Sequence, residues 1–92
     1  GIVRAAVDRL LPLMAPVIES HWSAALTSGD PERHFRQHHH RIAEDLLVVT
    51  DGLAARSDNR VLVRLYRSLR PVAKDPVAAA VPRLPGLIRA HV

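Results

Sequence analysis

The chain has no cysteine, so disulfide staples and thiolate metal or redox sites are excluded. Aromatics are scarce: Trp22, Phe35 and Tyr66 occur once each, 3% of 92 residues. A core must therefore be built from Leu, Val, Ile and Ala, which suits helix packed on helix. No apolar run reaches the ~20 residues of a membrane span, and no secretory signal opens the chain. The compartment stays unread, with the cytoplasm favoured. The first residue is Gly1 rather than Met, which suggests a piece excised from a longer protein, a processed product or a tag remnant. Alternating strand patterns, glycine-rich phosphate loops and nucleophile elbows are also missing, so we expect neither a sheet nor an enzyme.

What remains is helical periodicity. Val7, Leu10, Leu11, Met14, Val17, Ile18, His21 and Ala25 recur at steps of three and four. Pro12 and Pro16 interrupt that stripe, and the spacing predicts a helix to about Leu11, a bend, and a second helix to about Leu26. Ser28-Gly29-Asp30 is a stop, and Asp30-Pro31-Glu32 is a helix start with a cap, a proline at the first position and an acid at the positive dipole end. From there Phe35, Ile42, Leu46, Val49 and Leu53 share a narrow arc, which predicts a single rod over residues 30–56. Asp58 or Ser57 caps a third helix over residues 59–70, closed or kinked at Pro71. Asp75-Pro76 starts a fourth segment, a short helix over residues 76–81 broken at Pro82 and Pro85, with another turn or two over residues 84–91. The fold expected is all-α: a small single-domain bundle of about four main helical segments over residues 1–92.

Charge is uneven. The net +4 divides into −2 for residues 1–55 (five Arg, seven acids) and +6 for residues 56–92 (seven Arg and Lys74, two acids). On the third helix Leu62, Leu65, Leu69 and Val72 face one way, and Arg60, Arg64, Arg67 and Arg70 the other, with Val63 amid the arginines. This is a candidate partner-binding face, offering guanidinium forks to carboxylates. A helix-turn-helix reading of residues 53–66 lacks the turn glycine and puts Asp, Asn or Arg at positions that should be apolar. Nucleic acid thus stays open only as the lesser partner, through phosphate contact.

Six histidines complete the inventory, four of them within residues 30–56. With Ile42 at the centre of its face, His39 lies about 60° to one side and His38 about 40° to the other, with His34 about 80° off. His34 and His38 stand i, i+4 with Asp45 near the same side, and His21 is on the stripe of the first segment. Metal binding, pH sensing and simple boundary packing are all open for His21, His34, His38 and His39. Zinc wants three or four ligands, and the glutamate of a zincin motif is replaced by Phe35.

The stretch HWSAALTSGDPERHF (residues 21–35) resembles the globin pattern in which a helix ends, a Pro-Glu step follows, and a Phe wedges the haem. The later TDGLAARSDN is similar to a globin segment running from distal to proximal side. The resemblance implies a haem-binding sensor. Two departures stand against it: the chain is short by a globin's last two helices, and residues 61–80 hold no proximal histidine.

The expectation adopted is a small interaction, docking or regulatory module without a cofactor. Its arginine face would meet an acidic protein surface. Self-association is a further prospect, because Leu46, Leu47 and Val48 point to different sides of one helix. The alternatives are a histidine-based metal or haem sensor, and phosphate or nucleic-acid contact.

Overall fold

Helix boundaries fall largely where capping chemistry places them. A computed structural model of the chain describes residues 1–90, with the side chains at positions 2, 3, 6 and 7 outside that description. In order come α1 (Ile2–Ser28), α2 (Pro31–Gln37), α3 (His39–Ala55), α4 (Arg60–Ala80), a 3-10 turn (Val81–Arg83) and α5 (Leu84–Ala90). Among the described residues there is no strand, and the fold is a small all-α bundle.

α1 ends at Gly29, whose φ of 87° is the left-handed conformation glycine adopts without strain, and whose N–H donates to the Leu26 carbonyl. Asp30 then caps α2 by accepting from the Arg33 N–H at 3.1 Å. The cap of α4 sits one or two residues later than Asp58 or Ser57. Asn59 Oδ1 accepts from both Val61 N–H and Leu62 N–H, each at 3.1 Å.

Three expectations need correction. The first is the split of α1, which instead runs unbroken through Pro12 and Pro16. Both prolines are exposed, so each carbonyl freed four residues back can turn to water. The second is the separation of residues 59–70 from the segment at Pro76. α4 continues through Pro71 and Pro76, again both exposed. The third is the single rod over residues 30–56, which is interrupted at His38 (φ −111°, ψ 20°). Next to the break, His39 Nδ1 lies 2.7 Å from the Arg36 carbonyl, which a continuous helix would have paired with the amide of His40. The C-terminal break falls as expected, with the 3-10 turn around Pro82 and α5 starting beside Pro85.

The core sits at one end. Ala25, Phe35, Ile42, Ala43, Leu46, Ala78 and Val81 are buried together, with Met14, Val17, Ile18, Trp22, Val77, Leu84 and Ile88 packed against them. Trp22 meets Phe35 edge to face at 6.2 Å between ring centroids, and the Arg89 guanidinium lies 5.8 Å over the Trp22 ring. Arg89 also pairs with Glu32, tying α5 to α2. The Val7 side chain, placed on the α1 stripe, and position 91, placed in the last helical turn, lie outside the described residues. α1 and α4 both pack on α3, and their N-terminal halves run beyond the core. The radius of gyration is accordingly 14.2 Å, against roughly 12 Å for a compact chain of this length.

Burial ranks the side chains for stability. Phe35→Ala is expected to cost about 3–5 kcal/mol in urea unfolding followed by circular dichroism. Val61→Ala, at an exposed α4 position, should shift the same curve by no more than about 0.5 kcal/mol.

Candidate interaction surfaces on α4

α4 is amphipathic, and the face it turns to α3 is the polar one. Tyr66, Arg70 and Lys74 follow one another at four-residue steps along the contact. Arg70 Nε donates to Asp51 Oδ1 at 2.8 Å and its Nη2 to Asp51 Oδ2 at 3.1 Å, a two-pronged fork. The same Nη2 reaches Glu44 Oε1 at 2.8 Å, and Lys74 Nζ donates to Glu44 Oε2 at 2.6 Å. The Tyr66 hydroxyl donates to Asp51 and stands 2.7 Å from Thr50 Oγ1. This ladder spans the α3–α4 seam where the apolar core does not reach.

The electrostatics follow from the pairing. Lys74 first and then Arg70 hold the Glu44 carboxyl below its ordinary value, and Arg70 first and then Tyr66 do the same for Asp51. Burial raises the Tyr66 hydroxyl, helped by the Asp51 charge, and the carboxylates push Arg70 further up.

With that face occupied, the leucine stripe turns outward. Leu62 is 56% exposed, Leu65 52%, Leu69 50% and Val72 65%. Beside it an apolar groove of roughly 470 Å³ runs between Leu10 of α1, Leu53 of α3, and Leu62, Leu65 and Leu69 of α4. On the other side of the α3–α4 contact lies a basic groove of roughly 700 Å³. Arg60, Arg64 and Arg67 rim it, and Ala54, Ala55 and Val63 give it an apolar wall.

The candidate partner-binding residues therefore divide. Arg60, Val63, Arg64 and Arg67 do share a surface. Arg70 lines the same groove, but its guanidinium is committed to Glu44 and Asp51. Sequence reasoning missed those two acids, and the signal was present: Glu44 and Asp51 stand seven apart on one side of α3, opposite the only lysine. Of the three residues behind the earlier dimer argument, Leu46 and Leu47 are buried and Val48 is exposed.

The histidines fall into separate places. The His34 and His38 rings lie 4.5 Å apart, as i, i+4 spacing implies. Burial first, then His38 and His21, hold His34 below the ordinary imidazole value. Asp45 is turned to His21, whose Nε2 lies 2.6 Å from Asp45 Oδ2. His39 is engaged with the Arg36 carbonyl. Among the described residues no three His, Asp or Glu side chains converge as a metal site, and no helix is long and apolar enough to cross a membrane.

These surfaces define a small helical bundle whose fourth helix carries a basic groove on one side and an apolar one on the other. The chain belongs to a family of unknown function (DUF6918), whose profile matches residues 1–92. No curated protein and no solved structure matches it.

The ladder has a definite pH signature. Both folded carboxylates are depressed, so the stability they confer is present above the ordinary carboxylate range of ~4 and is lost as pH falls through their folded values. Each is more than a third exposed, and solvent screening limits the effect. Thermal melts should therefore decline below about pH 4, with a flatter acid limb in the Glu44→Gln/Asp51→Asn variant.

Proposed function

We propose that the chain is a protein-docking module whose basic groove receives an acidic segment of another protein. The observation behind this reading is that Arg60, Arg64 and Arg67 gather on one groove without an ion-pair partner among the described contacts, whereas Arg70 beside them is fully engaged. Guanidinium groups present planar forks suited to carboxylates, and Val63 and Ala54 supply apolar contact between the charges. An acidic helix or extended peptide with a small apolar residue between its carboxylates fits such a groove.

The test is direct binding. A labelled Glu-rich peptide should bind the purified chain, with affinity falling as added salt shortens the Debye length to ~10 Å and below. Arg64→Glu/Arg67→Glu should weaken it by about tenfold or more. Absence of salt-sensitive peptide binding, together with tight binding of a duplex oligonucleotide, would move the groove to phosphate recognition.

A further inference from the structure

The outward leucine stripe has an order of its own. Leu62, Leu65, Leu69 and Val72 are spaced three, four and three, the seam of a two-heptad coiled coil. That spacing reads the same in both directions. Reversing α4 about position 67 lays Leu62 over Val72 and Leu65 over Leu69, so the seam is complementary to an inverted copy of itself. All four residues are at least half exposed, and the seam continues across the apolar groove to Leu10.

Charge selects the direction. Asp75 is the sole acid on α4, is exposed, and has no ion pair among the described contacts. Asp75 and Arg64 flank the seam on the same side, about 100° and 120° from its centre, with Arg60 beyond them. A parallel two-fold pair would put each copy's Asp75 on the opposite edge of the seam from the other copy's Arg60 and Arg64. An antiparallel pair with a two-fold axis brings matching flanks together end to end. Asp75 then comes level with Arg60, and within an arginine's reach of Arg64, on the second copy.

We propose that this chain forms a two-fold homodimer through antiparallel pairing of α4 along Leu62, Leu65, Leu69 and Val72, with Asp75 set against the arginines of the other copy. The proposal rests on the same reading of α4 as an interaction element but uses the face away from Arg67. Arg67 stays clear of the pairing, so each copy keeps that part of its basic groove open, while Asp75 of the second copy approaches the Arg60 and Arg64 edge of the rim.

The absence of native cysteine makes the geometry testable. Sedimentation over a concentration series should show a dimer, and Leu65→Glu should give a monomer with unchanged helical circular dichroism. Asp75→Arg, at an exposed position outside the core, should weaken the dimer several-fold. Leu62→Cys and Val72→Cys should each fail to form a disulfide alone and should cross-link when mixed. Arg67→Glu should reduce binding of the Glu-rich peptide and leave the dimer intact, which separates this surface from the groove. A wild-type monomer at every concentration, a Leu65→Glu variant that still dimerises, or self-cross-linking of Leu62→Cys would overturn the proposal. So would a monomer that binds phosphatidylserine vesicles through Leu65.

Discussion

Arg70 decides how the outer half of this molecule is built. Its guanidinium spans Glu44 and Asp51, two turns apart on α3, and Lys74 takes the remaining oxygen of Glu44. Once those charges define the inner face of α4, the helix cannot also bury its leucines against α3. Partly exposed ion pairs add little net stability. Their effect here is orientation: they fix the rotation of α4 about its own axis, and that rotation puts an apolar stripe on one side and, on the other, three arginines without an ion pair among the described contacts.

The opposite end of the bundle is organised by packing. Phe35, Ile42 and Val81 are fully buried there, clasped by Trp22 and closed by Arg89. No polar or charged side chain is buried among the described residues, so this end is held together by apolar packing. The two grooves lie where the core runs out. A chain of this size cannot cover all three long helices with its own short C-terminal ones.

Local signals carried much of the fold. The Gly29 stop, the Asp30-Pro31 start and the inward register of Phe35, Ile42 and Leu46 follow from capping chemistry and a 3.6-residue period, which act within a turn or two. The all-α class followed from the same period. The interruption at His38 was less visible, because it depends on one imidazole competing for a backbone carbonyl. The prolines were over-read, since their cost depends on whether the freed carbonyl meets solvent, a tertiary fact. The rotation of α4 was hidden for a similar reason. A helical wheel shows an apolar face and a cationic face but not which one has carboxylates waiting on the neighbouring helix. Thus Arg60, Val63, Arg64 and Arg67 were legible as a group, while the commitment of Arg70 was not.

The outward stripe also shapes what happens when α4 unwinds. Val61, Leu62, Val63, Leu65 and Tyr66 form a short run of β-favouring residues, the composition that seeds stacked-strand aggregation in an extended chain. Arg64 interrupts that run and Arg60 and Arg67 flank it with like charges, while Pro71 cannot join a strand ladder. The cations that rim the folded groove therefore act on the nascent and unfolded chain as well, as gatekeepers against amyloid-like self-pairing.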